Sequence, residues 1–241
     1  MKPFLSIVIP AHNEENRLPD TLEQVFNFLR KQSFPSEVIV VENGSSDKTL
    51  EVAQNFSAQH TTLRVIQSER GKGAAVRAGM LAATGEYRFM CDADLSMTVA
   101  EISRFIPPAL NNFDIAIASR EAKGAVRYNE PRYRHWGGRA INFLVQLFIL
   151  RGLNDTQCGF KCFSAKVSED IFNLQTLTGW SFDIELLYIA RRHNYVIQEI
   201  PIHWIHHPET KVSAVRDAIR MIQDIFHIHA NARRGIYHGT R

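Results

Sequence analysis

The sequence contains little cysteine. Only three of its 241 residues are cysteine, namely Cys91, Cys158 and Cys162. An odd number without the spacing of a disulfide framework excludes a small disulfide-stapled fold and predicts a reducing compartment. Cys158 and Cys162 are four residues apart. Because no nearby residues complete a zinc site, we expect all three side chains to be ordinary thiols.

Long apolar runs and strong charge are also missing. No apolar run reaches the roughly 18 residues that span a bilayer, and the N-terminus enters a strand without a signal peptide. The net charge of +3 is only mildly basic, so charge gives no indication of nucleic-acid binding. Hydrophobic residues make up 45% of the chain, and no linker or repeat divides it, which fits one large domain or two small ones.

Short apolar runs alternate with amphipathic segments over about the first 120 residues. Nearly continuous apolar runs are typical of strands that are covered on both faces. The segments between them repeat apolar residues every three to four positions, as helices do. This alternation predicts a parallel sheet with helices on both faces. The predicted strands are 4–9, 38–41, 63–66, 87–91 and 114–118, and the predicted helices include 17–31 and 99–110.

Two acids one residue apart follow the fourth predicted strand. Residues i and i+2 of an extended chain point the same way, so Asp92 and Asp94 can face one point. Mg²⁺ characteristically takes one or two carboxylates together with substrate phosphates. The position also fits the carboxyl end of a strand, where open α/β sheets bind ligands. The alternative is that these acids only cap a helix that begins near Thr98.

Other polar residues fall at the same predicted edge of the sheet. Glu14 follows the first strand and Glu42 ends the second. The turn 70–73, Arg-Gly-Lys-Gly, opens a helix, which brings backbone N–H groups and the charge of Lys72 near an anion. This turn lacks the spacing of a Walker loop, and a plain helix start is the alternative. The recurrence of polar strand ends is stronger evidence for a site than any one motif.

The second half combines basic, aromatic and apolar residues. Residues 127–139 carry four arginines and lead into the apolar run 141–150, which either is buried or lies in a membrane interface. The last predicted helix, 212–231, either packs on the core or docks on a membrane surface. Its predicted apolar side consists of Val215, Ala218, Ile219, Ile222, Ile225 and Phe226.

Three further features of the second half carry weaker expectations. The segment 196–204 predicts a strand that is broken at Pro201. Asp183 and Glu185 could act as a base for a hydroxyl acceptor, although we expect them on a solvated face of the helix 182–192. The histidines at 203, 206 and 207 fit no metal site and are expected at the surface.

Five motifs occur in order along the chain: 8–14 (Val-Ile-Pro-Ala-His-Asn-Glu), 41–47 (Val-Glu-Asn-Gly-Ser-Ser-Asp), 70–73, 92–94 (Asp-Ala-Asp) and 155–161 (Asp-Thr-Gln-Cys-Gly-Phe-Lys). Together they resemble the family 2 glycosyltransferases of the GT-A fold, and more specifically the dolichyl-phosphate and polyprenyl-phosphate sugar synthases. The turn 70–73, the loop 155–161 and the segment 182–186 most resemble the dolichyl-phosphate β-glucosyltransferase branch. The resemblance covers nearly the whole chain.

The resemblance implies a fold and a separate role for each half of the chain. It implies a GT-A, Rossmann-like α/β fold with a mostly parallel sheet and C-terminal amphipathic helices, as a single domain 1–241. Residues 1–120 would bind the nucleotide sugar and residues 121–241 the acceptor. The implied site residues are Pro10, His12, Glu14 and Glu42 for the nucleotide, Lys72 beside the donor phosphates, Asp92 and Asp94 for Mg²⁺ or Mn²⁺, and Arg120 and Arg134 for phosphates, with Asp94, Arg120 and Arg134 as the catalytic set.

The implied reaction moves a hexose, with inversion, onto a polyprenyl or dolichyl phosphate. Glucose from UDP-glucose is expected, and GDP-mannose or a hydroxyl acceptor are the alternatives. Outside the family, a nucleotidyltransferase or a non-catalytic nucleotide-sugar binder would share the glycine-rich and acidic features. His12 and Glu42 depart from the frequent tyrosine and aspartate, which leaves the nucleobase open, and Ser96 argues against the mannose branch. Many relatives carry membrane-spanning helices, whereas no apolar run of this sequence is long enough to be one. We therefore expect this chain to act peripherally, at the cytoplasmic face of a membrane, or to use a partner.

Overall fold

A computed structural model of the chain describes residues 2–94, 96–129, 145–146, 148–206 and 214–238. The strands are β1 (Leu5–Ala11), β2 (Ser36–Glu42), β3 (Leu63–Gln67), β4 (Tyr87–Cys91), β5 (Ile115–Ser119), β6 (Val126–Tyr128), β7 (Phe160–Ser164), β8 (Ile197–Pro201) and β9 (His203–Ile205). The helices are α1 (Leu18–Leu29), α2 (Thr49–Gln59), α3 (Lys72–Ala82), α4 (Ala165–Leu174), α5 (Phe182–Arg192) and α6 (Ala214–Arg233), with a 3₁₀ helix at Val99–Phe105.

Seven strands form one mostly parallel sheet in the order β3-β2-β1-β4-β7-β5-β8. β7 runs antiparallel to both of its neighbours, β4 and β5, and the other pairings in this sheet are parallel. β6 and β9 form a separate parallel pair. The prediction of a mostly parallel α/β sheet is confirmed, and the carboxyl ends of β1, β2 and β4 lie side by side.

The sheet is covered on both faces, as its apolar strands predict. Ile7 and Ile9 of β1 belong to a core on one face, where α1 packs, whereas Val8 belongs to a core on the other face. This second core contains side chains from α3, α4, α5 and α6. Alternate residues of β1 are therefore buried on opposite sides, which explains why the strand is nearly continuously apolar.

Two predicted elements differ from the observed ones. The predicted helix 99–110 is a 3₁₀ helix that ends at Phe105. Pro107 and Pro108 follow it, and because proline disfavours the helical conformation in the residue before it, the helix cannot continue. The predicted strand 196–204 is observed as β8 and β9, which divide after Pro201, as expected, and join different sheets.

The C-terminal helix buries only part of its predicted apolar side. Met221, Ile225 and Ile228 are buried, whereas Ile219, Ile222 and Phe226 are exposed. Of the predicted apolar side, Ile225 therefore packs on the core, whereas Ile219, Ile222 and Phe226 do not. Val215 and Ala218 fall outside the side chains that the structure describes.

The apolar run 141–150 is described only in part. Val145 and Leu150 are buried, as the first alternative predicts, and Phe148 is exposed. Residues 130–144 lie outside the described residues. Within the described ranges, no helix combines the length and hydropathy that a bilayer crossing requires.

Candidate active site

A cavity of about 540 Å³ opens at the carboxyl ends of the central strands. Its volume lies within the range of small-molecule sites. It is lined by most of the residues that the sequence indicated: Pro10, His12, Glu14, Lys72, Asp92, Asp94 and Arg120. Glu42 is not among its lining residues, and Arg134 lies outside the described residues. The structure thus brings residues from three separate motifs together with Arg120.

Glu42 shapes the loop after β2. It is buried, and its carboxylate accepts hydrogen bonds from the Ser45 backbone N–H at 2.5 Å and from Gln67 Nε2 at 3.1 Å. Burial opposes its ionisation, but these hydrogen bonds outweigh burial and lower the pKa of Glu42. The next residue, Asn43, lines the cavity, and its buried Oδ1 has no hydrogen-bond partner among the described residues. A cavity-facing Asn43 was not predicted, although it lies in the motif 41–47.

The acid pair follows β4 directly and meets the first residue of α3. Lys72 Nζ lies 2.8 Å from the carboxylate oxygens of Asp92. Burial, together with the nearby charges of Asp94 and Asp183, raises the pKa of Asp92, although Lys72 opposes this shift. Burial also opposes the charge of Lys72, but the carboxylates of Asp92 and Asp183 outweigh it and raise the pKa of Lys72. Asp94 Oδ1 accepts a hydrogen bond from the Ser96 backbone N–H at 3.0 Å.

The glycine-rich turn supplies a cation, and one backbone N–H of its helix start is already paired. Lys72 starts α3, and Gly71 has a φ of 139°, in a region that favours glycine. The Ala74 backbone N–H, in the first turn, donates to the Thr178 carbonyl at 3.2 Å and is not available to an anion. Arg70 and Gly71 of this motif line the cavity together with Lys72, whose side chain pairs with Asp92.

Arg120 follows β5 and is held by a buried carboxylate. Its Nε and Nη2 atoms donate to the two oxygens of Asp155 at 2.6 and 2.9 Å, and its backbone N–H donates at 3.0 Å. Asp155 is fully buried; burial opposes its ionisation, but Arg120 outweighs burial and lowers the pKa of Asp155. The guanidinium carbon also lies 5.5 Å from the ring centre of Trp204. Asp155, the first residue of the motif 155–161, therefore orients Arg120, a role that the sequence did not reveal.

The first turn of α5 is buried, so the expected solvated face for Asp183 and Glu185 is wrong. Asp183 lines the cavity and its Oδ1 lies 2.7 Å from Nζ of the buried Lys161. Glu185 is fully buried and accepts hydrogen bonds from the Thr176 and Leu177 backbone N–H groups at 2.8 to 3.1 Å. These partners compensate the burial of both charges.

An aromatic side chain borders the cavity next to the acid pair. Trp180 is 54% exposed, lines the cavity and lies 5.0 Å from Lys72 Nζ, measured to the ring centre. The loop that carries it, residues 175–181, contacts α3 through the Gln175 side chain, which donates to the Gly73 carbonyl at 3.0 Å. Sequence reasoning did not single out Trp180, because an isolated tryptophan in a loop has no local pattern.

The acid pair fits a divalent cation that is also bound by a substrate. Asp92 and Asp94 offer hard oxygen ligands, and burial makes a cation favourable beside Asp92. No group of three or more His, Cys, Asp or Glu side chains that could hold a metal occurs among the described residues. The remaining ligands must therefore come from water or from a bound phosphate, as is usual for Mg²⁺.

Curated relatives resemble the chain over nearly its whole length. The dolichyl-phosphate beta-glucosyltransferase of Drosophila melanogaster is 34% identical over 240 residues, which cover 93% of this chain and 74% of the relative. The human protein of the same name is 31% identical, over 97% of this chain and 77% of its own length. The Saccharomyces cerevisiae protein is also 31% identical, over 99% and 78%.

Solved structures share the fold at lower identity. A glucosyl-3-phosphoglycerate synthase from Mycobacterium tuberculosis, crystallised with Mn²⁺, UDP and glucosyl-3-phosphoglycerate, aligns with a TM-score of 0.64 at 18% identity, over 92% of this chain and 80% of its own. This likeness supports the GT-A architecture. The sequence pattern described as "Glycosyl transferase family 2" matches residues 6–172. The chain therefore belongs to glycosyl transferase family 2.

Proposed function

We propose that the chain transfers glucose from UDP-glucose to dolichyl phosphate. The observation that carries this proposal is one cavity that is lined by Asp92, Asp94, Lys72 and Arg120. In it, Lys72 forms an ion pair with Asp92. This combination of acids and cations suits a nucleotide diphosphate held with a metal ion. The names of the relatives supply the sugar and the lipid acceptor.

On the donor side, the residues after β1 and β2 would hold the nucleoside. Pro10, His12 and Glu14 line the cavity there, and the uncompensated Oδ1 of Asn43 is suited to accept a hydrogen bond from a nucleobase N–H. Glu42 supports this wall by fixing the loop that presents Asn43. Its proposed role is therefore positioning of the nucleotide pocket.

At the diphosphate, Asp92 and Asp94 would hold Mg²⁺ or Mn²⁺. The ion, when bound, neutralises the charge that grows on the departing UDP. Lys72 already contacts Asp92 and is placed to donate to a phosphate oxygen of the donor. The charge of Lys72 thus serves the same leaving group.

The acceptor side needs positive charge more than a base. A phosphate monoester has a second pKa of about 6, so the lipid phosphate is ionised near neutral pH. One of its oxygens attacks the anomeric carbon, the bond from that carbon to the UDP oxygen breaks, and UDP leaves with the bonding electrons. Arg120, oriented by Asp155, would offset the repulsion between the two phosphates. Arg134 remains proposed for the acceptor phosphate, outside the described residues.

The stereochemistry agrees with a single displacement. Glucose is α-linked in UDP-glucose, and the relatives are named for a β-linked product. One in-line attack inverts the anomeric carbon and requires no covalent sugar–protein intermediate. The alternative with a hydroxyl acceptor would need a base; Glu185 does not line the cavity, and Asp183 is paired with Lys161. We therefore favour the phosphate acceptor.

A comparison of two nucleotide-sugar donors tests the proposal. Purified protein is given UDP-glucose or GDP-mannose, with and without dolichyl phosphate, and release of UDP, GDP and pyrophosphate is measured. We expect UDP release that depends on both UDP-glucose and the lipid. Lipid-dependent GDP release would favour the mannose alternative, and pyrophosphate release would favour a nucleotidyltransferase.

Asp94→Asn tests the metal site. We expect the variant to lose about a hundredfold or more in transfer rate, because the amide is a weaker ligand and carries no charge. Mn²⁺ with UDP should raise the melting temperature of the unchanged protein but not of the variant. Asp20→Asn, at an exposed position on α1, is the matched control and should behave like the unchanged protein. Full transfer by Asp94→Asn would contradict the site assignment.

A further inference from the structure

The outer face of α6 exposes a stripe of large apolar side chains. Ile219, Ile222 and Phe226 are 55%, 43% and 71% exposed. Their spacing of three and four residues places them on one side of the helix. The opposite side is buried through Met221 and Ile228. The helix is therefore apolar on two faces, and only one of them is used by the core.

The apolar stripe continues beyond the helix and has a basic border. Phe148 is 60% exposed, and its carbonyl lies 3.2 Å from Nε2 of His229, one helical turn after Phe226. Arg220, Arg233 and Arg234 are exposed along and beyond the end of the helix. We call the four side chains Ile219, Ile222, Phe226 and Phe148 the outer apolar face.

We propose that the outer apolar face docks on the surface of a lipid bilayer that contains anionic phospholipids. The proposal rests on the proposed function, because a dolichyl phosphate acceptor is held in a membrane. An apolar stripe bordered by arginines is the pattern of helices that lie in the bilayer interface. The arginines complement anionic headgroups, which attract basic side chains at a membrane surface.

The size of the face favours a bilayer over a second copy of the chain. Its four side chains offer on the order of 400 Å² of apolar surface, estimated from the usual area of such side chains. A stable protein dimer buries about 800 Å² on each partner. A bilayer sets no such minimum, since each inserted apolar group adds to the binding free energy.

The same helix is connected to the rim of the cavity. Asn231 Nδ2 donates to Thr176 Oγ1 at 3.1 Å, and the Tyr237 hydroxyl, just after α6, donates to Glu185 at 2.7 Å. Thr176 belongs to the loop 175–181, which carries Trp180 beside Lys72. A helix docked on the bilayer would thus be bonded to the loop that borders the site of transfer.

The test removes the apolar stripe and measures vesicle binding. The variant Ile219→Ser, Ile222→Ser and Phe226→Ser is compared with Val196→Ser, which changes a 50% exposed side chain before β8. Co-sedimentation with vesicles of phosphatidylcholine and phosphatidylserine measures the affinity of the protein for the bilayer. This affinity should fall about tenfold or more for the triple variant only. Arg233→Gln with Arg234→Gln should weaken binding to these vesicles but leave binding to pure phosphatidylcholine unchanged.

Activity separates this proposal from the proposed function. The triple variant should keep its transfer rate with a short, water-soluble isoprenyl phosphate and lose rate with dolichyl phosphate in vesicles. Vesicle binding by the triple variant equal to that of the unchanged protein would overturn the docking proposal. A dimer in sedimentation equilibrium that the triple substitution dissociates, without loss of vesicle binding, would assign the face to a second copy. If the triple variant loses vesicle binding but the unchanged protein transfers glucose to neither acceptor, the docking proposal is supported and the proposed function is refuted.

Discussion

At the scale of single residues, Gly159 makes room for Asp92. Gly159 immediately precedes β7, and a Cβ atom built on it would lie 1.8 Å from Asp92 Oδ2 and 2.3 Å from the carboxylate carbon. Such distances are far inside van der Waals contact, so any side chain here would displace the carboxylate. The glycine of the motif 155–161 is therefore a requirement of the acid pair, although more than 60 residues separate the two in sequence.

Gly159→Ala should remove transfer activity. The added methyl group pushes the Asp92 carboxylate away from Lys72, and we expect a loss of at least about tenfold in UDP release and about 1–3 kcal/mol of stability. Gly179→Ala is the control, because a Cβ there meets nothing within 4 Å. Urea unfolding and UDP release of both variants check the expectation. If Gly159→Ala keeps the activity and stability of Gly179→Ala and of the unchanged protein, Asp92 does not need its observed position.

Asp155 gives the stability a predictable pH dependence. Its pKa is lowered in the folded protein, so its ion pair with Arg120 stabilises the fold above the unfolded pKa of about 3.9. This contribution is lost as the pH falls through the lower, folded pKa. Asp155→Asn leaves Arg120 without its charged partner and should cost about 3–5 kcal/mol at pH 7.

The difference in unfolding free energy between Asp155→Asn and the unchanged protein should therefore shrink below a pH of about 4. Urea unfolding across a pH series measures it. Asp20→Asn, with an exposed side chain, should show a small difference at every pH. A constant penalty for Asp155→Asn down to the lowest pH would argue that packing, rather than charge, explains the effect.

The sequence could predict the charged side chains of the site but not their partners. Asp92, Asp94 and Lys72 belong to short motifs at strand and helix ends, where local pattern is informative. Asp155 and Trp180 act through contacts with residues distant in the chain, and no local periodicity encodes such contacts. A buried carboxylate such as Glu185 was mistaken for a surface one, because the helix pattern alone does not show which loop covers it.

At the scale of elements, the loop 175–181 depends on a buried acceptor in α5. The carboxylate of Glu185 accepts hydrogen bonds from two backbone N–H groups of this loop and from the hydroxyl of Tyr237. Tyr237 is almost fully buried, and this burial and the hydrogen bond to Glu185 raise the pKa of the tyrosine. The chain after α6 thus fixes a loop of the candidate site.

Tyr237→Phe should weaken this connection. The lost hydrogen bond to a charged acceptor predicts a destabilisation of about 1.5–3 kcal/mol. Tyr128→Phe removes a hydroxyl from a 44% exposed side chain and should change stability by less than about 0.5 kcal/mol. Urea unfolding followed by far-ultraviolet circular dichroism compares the two. A neutral Tyr237→Phe would mean that water replaces the hydroxyl at Glu185.

Most elements of the first half were predictable, and the sheet order was not. Apolar runs predict β1 to β5; four of these strands are buried on both faces, and β3 lies at the edge of the sheet and is only partly buried. β7 pairs antiparallel between β4 and β5, and this register joins Cys91 to Phe160. Pairing between segments so far apart depends on tertiary packing, and the apolar pattern of β7 is the same for either direction.

At the scale of the whole molecule, the reactivity of the three thiols is a measure of whether the chain is folded. Cys91, Cys158 and Cys162 are all free and buried. Burial, chiefly, raises the pKa of Cys158 to about 12 and raises the pKa values of Cys91 and Cys162 as well. Because the thiolate is the reactive form, all three are protected in the folded protein.

We expect no reaction of the native protein with Ellman's reagent at pH 8 within minutes, and three thiols per chain after unfolding in urea. The two cores share one sheet, so the three thiols should become reactive together, at the urea concentration that unfolds the chain. Spectrophotometry against urea concentration measures this. One thiol that reacts early would show that its strand opens independently of the rest.

The position of β7 has a consequence for synthesis on the ribosome. β4 leaves the exit tunnel well before β7, since the chain is made from its N-terminus. Until Phe160–Ser164 is synthesised, one edge of β4 has no strand beside it, and its backbone groups are open to other nascent chains. We therefore expect the nascent chain to be most open to wrong strand pairing when translation pauses between these two strands.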